Sequence, residues 1–240
     1  MSRTGAKKWM LVCMAVLVFA CAACSADKDS KGAAVSIDGL KVVVDAGHGD
    51  TDAGTIGVFT GRQEKEVNLE IAKKLQKALE QEGAKVVMTR ESDAPIAAAE
   101  ETDIAKRKEA DMQKRERIIT DAKADMYIGV HQNSFENAET CGPQVFYHTD
   151  SSVGNELAKC IQKVMNEELE IKAPRKVNCG RYRLLKPGSQ PSVTVECGFF
   201  TNQDEEKKLQ TDDYQDKVVK SIVDGIKSYE LEYGDVKQNR

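Results

Sequence analysis

Apolar residues along the chain keep two rhythms in turn. Short apolar runs at 40–46 (LKVVVDA), 84–90 (AKVVMTR), 126–130 (MYIGV), 144–148 (QVFYH) and 192–198 (SVTVECG) predict strands. YRLL at 182–185 predicts one more short strand. Between these runs the apolar positions recur every three or four residues. Leu69, Ala72, Leu75, Ala78 and Leu79 share one face of a helix predicted over 65–82, which Gly83 stops. Further helices are predicted over 97–122, 155–168 and 212–231. Strands spaced by helices define a single α/β domain: a mostly parallel sheet with helices on both faces. It spans 40–231, with a polar tail at 232–240.

The first 39 residues keep neither rhythm. Arg3, Lys7 and Lys8 precede an apolar run from Trp9 to Cys24, and a polar stretch follows. That is the layout of a signal peptide over 1–24. The run is short of the roughly 20 apolar residues a membrane span needs. Its end, CAAC, resembles a bacterial lipoprotein cleavage site with Cys24 as the lipidated residue, although leucine is commoner where Cys21 stands. Lipidation at Cys24, plain secretion and an uncleaved anchor all place the domain outside the cytoplasmic membrane. Residues 25–39 read as a flexible tether. Twelve such residues span about 20 Å, which would hold a lipid-anchored domain near the membrane surface.

Composition narrows the partners. The chain of 240 residues carries a net charge of −4; removing Arg3, Lys7 and Lys8 with the signal takes no acid with them, so −4 becomes −7. An acidic protein is a poor match for nucleic acid. A monomer is expected. Of seven cysteines, Cys13, Cys21 and Cys24 fall in the signal. Cys160 joins Leu157, Ile161 and Val164 on a helical stripe and is expected in the core. Cys197 alternates with Glu196 along a strand and is expected buried. Cys141 and Cys179 each precede a glycine in loop-like sequence, and an exported domain permits a disulfide between them.

Only three histidines occur, His48, His131 and His148, so a histidine metal site must draw on these. Open α/β sheets bind ligands beyond the carboxyl ends of their strands. His48 follows the first strand, His131 follows the third, and Glu196 closes VTVE. Glu64 opens the first helix. The four are expected to converge on one sheet edge. Two histidines and a carboxylate are the protein ligands of a catalytic zinc ion, which keeps its remaining position for water. Glu64, close to His48 in sequence and held by a helix, is the better ligand; Glu196 is then the general base. The glycine loop itself, GHGDTDAG, lacks the lysine and hydroxyl of a phosphate loop, and Asp50 and Asp52 would repel phosphate.

VVVDAGHGDTDAG, QEKEVNLEIAKKL, MYIGVHQNS and PSVTVECGFFTNQDE occur in that order. Together they closely resemble the zinc-dependent N-acetylmuramoyl-L-alanine amidases, bacterial cell-wall hydrolases. MTRESD and KRERIITDAKAD also look like that family, so the resemblance runs from about Lys41 to Tyr229. It implies Zn2+ held by His48, Glu64 and His131, with Glu196 as base. It implies peptidoglycan as substrate, cut at the amide between the lactyl group of N-acetylmuramic acid and L-alanine. The family has proline where Ala46 stands and glycine where Asp50 stands; small effects on the loop are expected.

Other positions carry lesser expectations. Asn133 could bind the stem peptide or cap the following turn. Arg115 is expected to anchor its helix to the sheet, and His148 has no role in the family pattern. The loop glycines are expected to leave room for a bulky glycan-peptide to approach the zinc. Some relatives plug their site with an extra helix. The 12 residues between His131 and Gln144 are too few for one, so an open site is expected. Spore-forming bacteria use short amidases of this kind in making spore cortex. The compact domain and N-terminal membrane segment fit that subgroup, but the catalytic motifs do not discriminate it.

Overall fold

The computed structural model describes residues 35–96, 103–169, 171, 174–185 and 190–237. The signal and lipidation expectations, including Cys24, and residues 97–102 of the predicted second helix lie outside these. So do residues 25–34 of the tether.

Strands β1 (Lys41–Ala46), β2 (Lys85–Met88), β3 (Met126–Asn133), β4 (Gln144–His148), β5 (Asn178–Gly180) and β6 (Ser192–Phe199) form one sheet. Their order is β2-β1-β3-β6-β4-β5. All neighbours are parallel except β4 and β6, which are antiparallel. The helices are α1 (Glu64–Gln81), α2 (Ile104–Ala122), α3 (Ser152–Glu168), α4 (Gln203–Lys208) and α5 (Asp212–Lys237).

Period-two alternation sends each strand's side chains to two unlike faces. Val42, Val44 and Ala46, then Met126, Ile128 and Val130, then Val193, Val195 and Cys197 join the main core with apolar residues of α1, α3 and α5. Their alternates Val43 and Tyr127 face the other way, with Ala122 and Leu185. Alternation puts Asp45, His131 and Glu196 on that second face too. Helix α2 covers part of it through Arg115, which is buried and paired with Asp45. Helices therefore lie on both faces, unevenly. Among the described residues, no helix is long and apolar enough to cross a membrane.

Five expectations need correction. Strand β3 runs on to Asn133, so His131 lies inside it rather than after it. The short strand predicted at 182–185 is a turn closed by Leu185 N donating to Tyr182 O at 3.1 Å; the edge strand is Asn178–Gly180 instead. The tail is not separate through 232–237, because α5 continues to Lys237. The flexible tether expected over 25–39 does not run through Ile37, which is buried in the main core. The disulfide left open between Cys141 and Cys179 is not formed: both are free thiols, as are the buried Cys160 and Cys197. Helix α4 was not predicted at all. QDEEKK has no apolar period, and the helix is nucleated by Asn202, whose side chain accepts from Asp204 N and Glu205 N.

Candidate metal centre

Each of the four expected residues is delivered by a different local device. His48 follows β1 in a loop whose backbone has left the strand region, with φ 61° at His48 and 50° at Asp50. Glu64 is the first residue of α1, where helix N-terminal amides and the macrodipole favour a carboxylate. His131 pairs in register with Glu196 across β3 and β6. A bulge follows between His131 and Asn133, at the sheet edge where such irregularities re-aim side chains.

The ring nitrogens of His48 and His131 and the Glu64 carboxylate offer ligand atoms all within 4.8 Å of one another. Glu64 Oε1 lies 3.2 Å from His48 Nε2 and 3.2 Å from His131 Nδ1. The same carboxylate accepts from Thr55 N at 2.8 Å, Gln132 N at 3.1 Å and Asn68 Nδ2 at 3.1 Å. Burial pushes the Glu64 carboxyl up, but the hydrogen bonds to His131 and His48 hold it well below the usual range. Burial also works against a charged His48; hydrogen bonds to Asp52 and Glu64 outweigh it and raise that imidazole to about 9.

Glu196 is placed differently. Its Oε2 is buried with no hydrogen-bond partner. Burial lifts its carboxyl to about 7, against the pull of the His131 ring, and the Glu64 charge adds to the rise. All four residues line one open groove together with Asp52, Thr55, Asn133 and Ser134. Asn133 Oδ1 accepts from the N–H of the next residue, Ser134, at 2.8 Å. His148 is buried away from the groove, its Nδ1 accepting from Asp150 N at 3.1 Å. Residues 134–143, after β3, form turns and bends without a helix.

Sequence reading missed most of what holds the ligands. Asp52 accepts from His48 Nδ1 at 2.9 Å. Asn68 bridges Gly47 O and Glu64 Oε1. Arg90, buried, donates to Ala46 O, Gly47 O and Lys65 O at 2.7–3.0 Å. Arg115 does anchor α2 as expected: it pairs with Asp45 and also donates to Ala46 O and His48 O. Asp45 in turn accepts from Thr89 Oγ1 at 2.5 Å and Tyr127 OH at 3.0 Å. Asp50, where the family has glycine, keeps a positive φ, pairs with Arg107 and receives Lys65 Nζ on its carbonyl.

The glycines are correspondingly not open space for substrate. A Cβ on Gly47 would collide with the His131 ring, and one on Gly54 would sit 2.6 Å from Glu64 Oε2. Gly49, at φ 133°, faces Arg90. Gly47 and Gly54 are small so that His131 and Glu64 can pack against backbone, and Gly49 so that Arg90 can.

A parallel-edged α/β sheet with two imidazoles and two carboxylates at its carboxyl edge, one carboxylate saturated and one unpartnered, is the layout of a metal-dependent hydrolase. The model of the family described as N-acetylmuramoyl-L-alanine amidase matches residues 42–228, and the chain belongs to that family. It is 34% identical over 200 residues to the germination-specific N-acetylmuramoyl-L-alanine amidase of Bacillus subtilis, covering 83% of each chain. It is 33% identical to the amidase LytC of the same organism, covering 80% of this chain but 36% of that one. Among solved structures it is similar to the CwlD amidase of Clostridioides difficile, solved in complex with the GerS lipoprotein. There the TM-score is 0.77 at 34% identity, over 79% of this chain and 98% of that one.

Proposed function

We infer that this chain is a zinc-dependent N-acetylmuramoyl-L-alanine amidase acting on peptidoglycan outside the cytoplasmic membrane. The observation that carries this reading is the His48–Glu64–His131 cluster facing the same groove as the unpartnered Oε2 of Glu196. Two imidazoles and one carboxylate suit zinc in a catalytic site, so the residues fit the group.

His48, Glu64 and His131 would hold the ion. When bound, Zn2+ supplies Lewis-acid polarisation of the scissile carbonyl and of the attacking water. Glu196 accepts the proton of that water as it attacks and returns it to the departing L-alanine nitrogen. In the metal-free protein burial raises that carboxyl to about 7, the direction that favours holding the proton between the two transfers. Glu64 is not free to share the task, since it would hold the ion and also accepts from Thr55 N, Gln132 N and Asn68 Nδ2. Asn133, with its oxygen engaged at Ser134, would meet the stem peptide through Nδ2.

Residues 1–24 act as a lipoprotein-type signal with Cys24 lipidated, the tether expected over 25–39 ends short of Ile37, which is packed in the core, and 40–231 act as the catalytic domain. The expectation of a monomer stands beside the GerS-bound state of the similar CwlD chain. A spore-cortex role is supported by the 34% identity to the germination-specific amidase over 83% of each chain. Mass spectrometry of digested peptidoglycan tests the activity. L-alanine-headed stem peptides with intact glycan strands support it; released disaccharides would mean a glycosidase.

A further inference from the structure

Asp52 divides its carboxylate between two partners. Oδ2 lies 2.9 Å from His48 Nδ1, and Oδ1 accepts from Lys108 Nζ at 2.6 Å. His48 Nε2 in turn faces Glu64. A chain of contacts thus runs from helix α2, through the glycine loop, to the metal pocket.

We propose that Lys108 and Asp52 form a positioning relay that sets the ring of His48 and so couples the docking of α2 to metal affinity. This rests on the metal-site reading above. His48 needs such a partner. Its backbone is left-handed, and Arg115 and Arg90 hold the loop by its carbonyls, but its only strand-type pairing is the isolated bridge between Gly49 and Asp52, so no strand ladder fixes the ring. Accepting Nδ1–H at Asp52 selects the tautomer whose Nε2 lone pair is available to a metal. Asp52 is itself 31% exposed and would be free to turn toward water. Lys108 takes its second oxygen and closes that route.

Helix α2 is built to present Lys108 there. Arg107, Lys108, Asp111 and Arg115 recur at helical spacing on one face. Arg107 pairs with Asp50, while Arg115 pairs with Asp45 and Asp111 and donates to His48 O. One helix face therefore grips the loop on both sides of His48. Arg183 pairs with Glu109 and Glu116 on the same helix rather than with the loop residues Asp50 and Asp52.

The test is zinc affinity of the full chain by chelator competition, with the visible spectrum of the cobalt-substituted protein as a second readout. Asp52→Asn is expected to weaken zinc about 10- to 100-fold, the range for losing a ligand's outer hydrogen bond, and to shift the cobalt spectrum. Lys108→Met is expected to weaken zinc about two- to fivefold, the discount appropriate to a half-exposed pair, with Lys108→Arg restoring it. In an Asp52→Asn background, Lys108→Met should add nothing. Arg183→Met should leave affinity unchanged. The relay is overturned if Asp52→Asn binds zinc like the wild type, or if Lys108→Met costs the same in both backgrounds. A wild-type chain that takes up no zinc would sink the metal-site reading and the relay together.

Discussion

Glu64, on the α1 wall of the groove, accepts from Thr55 N, Gln132 N, Asn68 Nδ2 and both imidazoles. Glu196, on the β6 wall, is as enclosed at its Oε2 yet has no partner there. The fold holds one carboxylate as an anion and strains the other toward its acid form. A carboxylate pinned by amide donors and held ionised is suited to ligating a cation; one with an oxygen left without a donor and raised toward its acid form is suited to moving a proton. Their environments, rather than their residue type, divide the work.

Exchanging either wall breaks that division. Glu64→Ala should abolish zinc binding and turnover and also lower stability, because Thr55 N and Gln132 N lose their acceptor at about 1–3 kcal/mol each. Metal analysis and thermal melts check both. Glu196→Gln keeps the shape and is expected to retain zinc while turnover drops about 10²- to 10⁴-fold. If muropeptide assays show near-normal turnover, the base lies elsewhere.

A third change tests the support beneath both walls. Arg115→Met leaves Asp45 buried and unpaired on the second face of the sheet. A loss of about 3–5 kcal/mol in a denaturant titration is expected, as for one partner removed from a buried pair.

The subtlest prediction separates the two carboxylates by pH in metal-free protein. Glu64 is depressed in the fold, so its contribution is present above the unfolded value of about 4.5 and is lost as pH falls. Glu196 is raised to about 7. Its fold favours the protonated form, so its contribution is full below about 4.5 and fades as pH rises through 7. Subtracting the melting temperatures of Glu196→Gln from wild type between pH 4.5 and 8 should leave a difference that falls with pH. A flat difference would mean that the carboxyl is not raised.

What the sequence disclosed follows the same division. His48, Glu64, His131 and Glu196 were legible because each sits in its own motif: in the loop after a strand, at a helix start, or in the carboxyl-terminal half of a strand. Their supports were not. Asp52 sits in a loop where its charge argued only against phosphate, and Arg90 closes a strand run whose pattern says nothing of its four carbonyl partners. Arg115 was legible as an anchor, but its partner Asp45 reads as one polar residue in an apolar strand. Edge strand β5 has three residues, too few for a pattern, while YRLL looked apolar enough to pair. Helix α4 is fixed by a cap and by two buried anchorages. Glu206 accepts from Phe59 N and Thr60 N, and Glu205 from Gly142 N and Phe199 N. None of these has a hydrophobic signature.

Cys197 follows Glu196 directly and points into the main core, its thiol pushed far up by burial. A thiolate is what alkylating reagents attack, so this sulfur is mute while the chain is folded. Cys179, exposed at the sheet edge, is not so shielded. The domain therefore carries its own clock: the fast thiol reports the reagent, and the late appearance of Cys197 reports each opening of the sheet beneath the base.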